Sequence, residues 1–231
     1  MPAPPFLSQL LPFDLKPGIV LVEFDPQSLW YETSFTVAAQ ALKSGVRTEY
    51  HTFTHLPAEI DRSLERIGID TRKLGKRGLL EIMDSYTVTT GLGRDARSQP
   101  EAWWIVSPTL TMRAWDAAIG ESIARVRRGD YKGSGGLHID DNTSVLLEHN
   151  SESEVISHWR KKIIPHTREG KITYVNALMR GVGSESFVQQ FESLADAIVD
   201  FRSEEIGGRI EHRARARMIR GKEFESMWRR I

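Results

Sequence analysis

The sequence predicts an α/β protein built on a largely parallel sheet with an antiparallel extension. Three observations carry this. Short apolar runs alternate with segments of helical periodicity along most of the chain. The first run, Gly18 to Glu23 (GIVLVE), is apolar without alternation, as in a strand buried on both faces. The last two strand-like segments flank Gly207-Gly208, a hairpin signal.

Each element has its own signal. After the first strand, Glu32 to Ser44 places Phe35, Ala38, Ala39 and Leu42 at helical spacing, and Gly45 suits the position that stops the helix. Tyr50 to Thr54 is the second strand. Pro57 opens the next helix where its missing N–H costs nothing; Ile60, Leu64 and Ile67 give it an apolar stripe, and Gly68 ends it. Leu79 to Met83 is a third strand. Leu110 to Arg128 reads as a long helix carrying Met112, Trp115, Ile119, Ile123 and Val126. Leu137 to Leu147 contains a fourth strand. Ser151 and Glu154 form a capping box before a helix with Val155, Trp159 and Ile163. Ile172 to Leu178 is a fifth strand, and Phe187, Phe191 and Leu194 mark a further helix. Ala197 to Phe201 and Arg209 to Ile219 form the hairpin. Arg94–Pro100 and Gly129–Gly136 are short enough to be loops, so a single domain over 1–231, with 1–12 as an extension, is expected.

Composition narrows the function. The 231 residues hold 31 basic and 31 acidic side chains, which argues against a charged tail or bulk attraction to nucleic acid. With no cysteine there is no disulfide, thiolate nucleophile or cysteine zinc site. No apolar run reaches the roughly 18 residues of a membrane span, and the first residues lack the basic start of a signal peptide. A cytoplasmic location is expected. In parallel sheets ligands sit beyond the carboxyl ends of the strands. Those ends are Glu23 to Glu32, Thr54-His55, Asp84 to Tyr86 and Asp140 to Ser144.

From about Phe13 to Ile231 the order of segments resembles the KaiC/RecA-like ATPase superfamily, in particular archaeal KaiC-like and RadA-paralogue proteins. Four stretches carry the resemblance: KPGIVLVEF, THLPAEIDRSLERIGID, GLHIDDNTSVLLEH and LADAIVDFRSEEIGGRIEHRARARMIRG. It implies a three-layer sandwich, a mostly parallel sheet with helices on both faces and a C-terminal antiparallel hairpin. It also implies a nucleotide site at the first turn, and there the chain departs from the pattern. A working phosphate loop reads G-x-x-x-x-G-K-[ST], its backbone N–H groups curling around phosphates and its lysine meeting them. Here the stretch is EFDPQSLWYETS, with no glycine and no lysine between Glu23 and Lys43. Asp25 and Ser28 fall in the loop, and Trp30, Tyr31 and Glu32 stand about where Gly-Lys-Thr would be. Non-glycine residues resist the φ > 0 turns of such a loop, and the two rings would fill the cradle. Glu23, Asp25 and Glu32 would repel polyphosphate, at roughly 1–4 kcal/mol for a like charge about 4 Å away.

Two further positions depart. Where the resemblance implies a catalytic glutamate after the second strand, the chain has Thr54 and His55; His55 is either a weak base candidate or a hydrogen-bonded strand-end residue. The basic finger pair falls on Met218 and Arg220, leaving Arg220 alone as a residue that could reach a neighbouring subunit's nucleotide. The magnesium-associated aspartate corresponds to Asp140, followed by Asp141. Without the loop's lysine and hydroxyl such a pair is a poor magnesium site, and one of the two is expected to cap backbone N–H groups.

Other features have plain alternatives. Arg213, Arg215 and Arg217 alternate along one strand face, and from Arg202 onward nine basic residues face five acidic ones. This is either a surface for nucleic acid or an acidic partner, or a charged edge that blocks aggregation. Trp103-Trp104 puts one ring in the core and leaves the other at a loop or a contact. His149, His158 and His166 share no helical face and form no metal motif.

The resulting expectation is a non-hydrolysing KaiC/RecA-like regulatory or assembly protein that partners an active ATPase or assembles with itself. No cofactor or metal is expected, and Mg-ATP is disfavoured. A divergent ATPase is one alternative, a nucleic-acid-binding repair accessory another, and a pocket in which Trp30 and Tyr31 stack on a different small ligand a third.

Overall fold

The computed structural model describes residues 17–90, 101, 103–106, 110–113, 115–117, 120, 136–223 and 225–231. The expected extension 1–12, the loop 94–100, residues 129–135 of the second expected loop and residues 114, 118, 119 and 121–128 of the expected long helix lie outside them. Among the described residues nine strands form one sheet: β1 (Gly18–Phe24), β2 (Thr48–Thr52), β3 (Leu80–Asp84), β4 (Trp104–Val106), β5 (Gly136–Asp140), β6 (Ile172–Met179), β7 (Ala197–Ile206), β8 (Arg209–Ile219) and β9 (Arg229–Arg230). Their order is β4-β3-β2-β5-β6-β1-β7-β8-β9. Pairing is parallel from β4 to β7 and antiparallel from β7 to β9.

Period-2 alternation explains the uninterrupted apolar β1. Val20, Val22 and Phe24 face one layer, and Ile19 and Leu21 the other. The first layer is covered by α1 (Trp30–Lys43), α2 (Pro57–Arg66) and α3 (Thr71–Lys76), through Phe35, Ala38, Leu42, Ile60 and Leu64. On the second face lie Trp115, α5 (Glu152–His158), α6 (Ile164–Gly170) and α7 (Glu185–Leu194), following a short α4 (Tyr86–Thr89). The result is the expected three-layer sandwich.

Local chemistry sets the boundaries. Glu154 N–H donates to Ser151 Oγ at 3.3 Å and Ser151 N–H to Glu154 Oε2 at 2.8 Å, completing the capping box of α5. The single helix expected through Trp159 and Ile163 is interrupted by a π turn over Trp159–Ile163, just before Pro165. Proline has no N–H to donate and its ring crowds the carbonyl one turn back, so the wider turn accommodates it. Gly207 and Gly208 both have positive φ, 58° and 74°, as the hairpin turn requires. β4, not anticipated, has three residues and follows Trp103, whose ring lies against Gly75; a Cβ at Gly75 would approach that ring to 2.2 Å. Trp103 is buried and Trp104 half-buried. Of the long helix expected from Leu110, residues 112, 113, 115–117 and 120 are helical.

Candidate functional site

Asp25 to Leu29 connect β1 to α1 at the carboxyl edge of the sheet. The turn is anchored to β7: Asp25 N–H donates to Phe201 O at 3.1 Å, Ser203 N–H to Asp25 Oδ2 at 3.3 Å, and Ser203 Oγ to Gln27 O at 2.8 Å. Ser28 is buried and its N–H donates to Asp25 O at 2.9 Å. Among the described residues Lys171 is the only non-glycine with positive φ, so this turn has no left-handed residue and no anion-binding nest. The first helical residue, Trp30, is wholly buried. Its ring lies 5.5 Å from Phe201 and 6.3 Å from Phe24, and its Nε1–H donates to Asp141 O at 2.8 Å. Tyr31 stands edge-on to Phe24 and to His55, at 5.5 and 5.0 Å. Burial, with the Asp141 charge adding, pushes its phenol up to about 12. Glu32 supplies the acidic group in the first turn of α1.

Across the edge, Asp141 organises the end of β2. Its Oδ1 accepts Phe53 N–H at 2.8 Å, and its Oδ2 accepts the hydroxyls of Thr52 and Thr54 at 3.0 and 2.9 Å. It is thus the aspartate that caps a backbone N–H. His55 packs edge-on against Phe35 as well as Tyr31, with Nδ1 2.8 Å from Thr54 Oγ1 and 3.7 Å from Asp141 Oδ2. Burial alone would lower its pKa; the Asp141 carboxylate outweighs that and holds it above the ordinary histidine value. Trp30, Tyr31, His55 and Asp141 therefore form one contiguous group.

Asp140 belongs elsewhere. It points down into the second layer, where β2 and β5 pair Glu49 with His138 and His51 with Asp140. His51 Nδ1 lies 3.2 Å and His138 Nε2 3.6 Å from Asp140 Oδ1. Tyr174 OH donates to Asp140 Oδ2 at 3.0 Å, and its ring stacks on His138 at 4.2 Å. Glu49 Oε1 is 3.3 Å from His138 Nε2, and Arg47 reaches Glu49 and Glu81 at 3.3 and 2.5 Å. His51 Nε2 meets Ser85 Oγ at 2.7 Å, and Trp115 Nε1–H donates to His51 Nδ1 at 2.9 Å. Burial pulls His51 down to about 4, lowers His138 and pushes Asp140 up to about 7, the last partly offset by His138 and Tyr174. One donor atom from each of His51, His138 and Asp140 lies within 4.8 Å of the others, a spacing that could hold a metal ion. His158, by contrast, packs on Trp115 and pairs with Asp116 at 3.1 Å.

The hairpin arginines converge on acids of the same chain. Arg215 and Arg217 reach Asp200 at 2.7 and 3.2 Å, and Arg180 reaches it at 2.8 Å. Arg217 also pairs with Glu192 at 2.5 Å and with Glu23, while Arg180 lies 3.6 Å from Asp25. Arg213 pairs with Glu211 and Glu204 at 3.0 and 3.6 Å. Arg202 and Arg215 also lie over the Trp228 ring, at 3.9 and 4.5 Å. Arg220 donates to Ser193 O and Ala195 O at 3.2 and 2.9 Å, closing the C-terminal end of α7. Its side chain keeps 57% of its surface exposed.

Four carboxylates, Glu23, Asp25, Asp200 and Glu192, share three guanidiniums in this cluster. Burial pushes Glu23 up to about 7, against the opposing pull of Arg217. A carboxyl group whose folded pKa lies above its unfolded value stabilises the fold most at low pH and loses that contribution as pH rises. The contribution of Glu23 is complete below about 4.5 and gone once pH passes about 7. Thermal midpoints are therefore expected to fall from pH 5.5 to 8, and to fall less in the Glu23→Gln variant. Parallel slopes in the two proteins would show that Glu23 does not titrate in that window.

A mostly parallel sheet with β1 between β6 and β7, helices on both faces and a terminal hairpin is the KaiC/RecA-like α/β fold. No family model matches the sequence, and no curated protein matches it. Solved structures do. The uncharacterized protein PH0321 from Pyrococcus horikoshii, crystallised in complex with an unknown peptide, superposes with a TM-score of 0.71 at 17% identity, over 97% of this chain and 96% of that one. The KaiC-like protein PH0186 from the same archaeon gives a TM-score of 0.67 at 12% identity, over 99% and 91%. At these identities the likeness establishes the fold. Among the described residues no helix is long and apolar enough to cross a membrane.

Proposed function

We propose that the protein is a non-hydrolysing regulatory or assembly member of the KaiC/RecA-like fold, partnering an active ATPase of the same fold or assembling with itself. The observation that carries this is Trp30, wholly buried at the first turn of α1 between Phe24 and Phe201, where an ATP-binding member of the fold needs open backbone N–H groups. The turn before it has no left-handed residue, and no lysine occurs between Glu23 and Lys43. At the second strand end His55 is held between aromatic rings and Asp141, an arrangement that supports turn structure more than proton transfer. Packing of a helix-flanked sheet does not require the ligand, so the fold and its outer surfaces survive loss of the phosphate site. PH0321 was crystallised with a peptide, which fits a fold that engages polypeptide. Internal pairing of Arg213, Arg215 and Arg217 weighs against a nucleic-acid surface on that face.

Isothermal titration with Mg-ATP is expected to give no saturable heat. A dissociation constant in the micromolar range would overturn the reading in favour of a divergent ATPase. Light scattering on the purified chain, alone and mixed with RecA-fold ATPases of the same organism, is expected to show an assembly in at least one case. A strict monomer in all of them counts against the assembly role.

A further inference from the structure

We propose that His51, His138 and Asp140 bind a divalent transition-metal ion of the zinc type, which ties β2 to β5 inside the second layer. Register sets the site up: His51 lies opposite Asp140 across the parallel pair, and His138 stands two residues before Asp140 on the same strand face. Zinc bonds to nitrogen and oxygen of about 2.0–2.2 Å, arranged tetrahedrally, place ligand atoms roughly 3.3–3.6 Å apart. Two of the three spacings are 3.2 Å from His51 Nδ1 and 3.6 Å from His138 Nε2 to Asp140 Oδ1, and the three donor atoms all lie within 4.8 Å of one another. Two imidazoles and a carboxylate are a borderline donor set that suits zinc ahead of calcium or magnesium.

A second observation points the same way. His138 Nε2 and Asp140 Oδ1 are fully buried and make no hydrogen bond, although both face the gap between the three side chains. Buried polar atoms are nearly always satisfied, and an ion between them would satisfy both. The surroundings also orient the ligands. Ser85 Oγ on His51 Nε2 leaves Nδ1 as the coordinating nitrogen, and Tyr174 OH holds the second oxygen of Asp140. Glu49 Oε1, 3.3 Å from His138 Nε2, is the nearest further carboxylate oxygen. Coordination through His51 Nδ1 replaces the hydrogen bond from Trp115 Nε1, so the indole must release it. All three ligands are closed off from solvent, which makes the ion structural and loads it as the chain folds. A proton shared around Asp140 is the competing neutraliser.

The full chain is unfolded in denaturant with a chelator and refolded with either zinc or EDTA, then dialysed. The zinc-refolded protein is expected to retain one zinc per chain by elemental analysis, to melt at a higher temperature than the EDTA-refolded protein, and to differ from it in tryptophan fluorescence. Asp140→Asn and His138→Gln are expected to lose both the zinc and the zinc-dependent rise, whereas His149→Gln, at an exposed position, keeps them. Substoichiometric zinc with identical melting in zinc and in EDTA would overturn the proposal and assign the cluster to shared protons. Full zinc retention by the Asp140→Asn variant would overturn it as well, by placing the ion elsewhere. If both variants fail to fold, the comparison of the wild-type preparations decides.

Discussion

Trp30→Ala is expected to destabilise the protein by about 3–5 kcal/mol, the range for truncating a large buried aromatic side chain. The indole is wholly buried, contacts rings from β1 and β7, and gives its N–H to the carbonyl of Asp141. Removing it leaves both a cavity and a buried carbonyl without that donor. Chemical denaturation of wild type and variant measures the difference. A loss below about 1 kcal/mol would mean that neighbouring rings collapse into the space and that Trp30 is dispensable to the core. The same variant probes function. The enlarged space still lacks glycines and a lysine, so Mg-ATP binding is not expected to appear. Its appearance would show that the indole alone had closed a competent site.

Asp200→Ala is the second large effect expected, a loss of about 2–4 kcal/mol. Breaking a wholly buried ion pair costs roughly 3–5 kcal/mol, and the value here is reduced because the three arginines keep solvent contact. Asp200 has no exposed surface, and Arg180, just past the end of β6, and Arg215 and Arg217, both on β8, converge on it. Without it the three guanidiniums lose their shared buried partner and keep only Glu23, Asp25 and Glu192 around them. Arg213→Ala is the contrast: its partners Glu204 and Glu211 lie at the solvent edge, and its loss is expected within about 1 kcal/mol. Denaturant midpoints at pH 7 separate the two. Equal small losses would show that the whole cluster is a solvated face.

Much of the sheet could be read from the sequence because its signals are local. The apolar run of β1, the capping box at Ser151 and the paired glycines of the hairpin each require a particular backbone conformation, and each formed. β7 continues five residues past the expected Phe201 because its outer half, Arg202 to Ile206, is a polar ribbon paired only with β8. α3, α4 and β4 were not anticipated, being too short to show a period. The site was legible in part. Absence of glycine and lysine at the first turn is visible in the letters, but burial of Trp30 depends on Phe201, far along the chain. His51, His138 and Glu49 were missed altogether. Their trace was present as polar residues on either side of a buried apolar one, Glu49-Tyr50-His51 and His138-Ile139-Asp140. Only the register that sets one pair opposite the other turns that trace into a cluster. The hairpin arginines resemble an open basic stripe for the same reason: their acidic partners come from β1, β7 and α7.

The position of β1 bears on how the chain reaches this state during synthesis. Val20 is bonded on one side to the strand containing Val175 and on the other to that containing Ala197. At about 5–20 residues per second, the ribosome needs roughly 8–30 seconds after making Val20 before its first neighbour exists. Throughout that interval a sticky, unpaired ribbon must be kept from nascent chains on adjacent ribosomes. Translation pauses or chaperone supply are therefore felt first at Ile19 to Phe24.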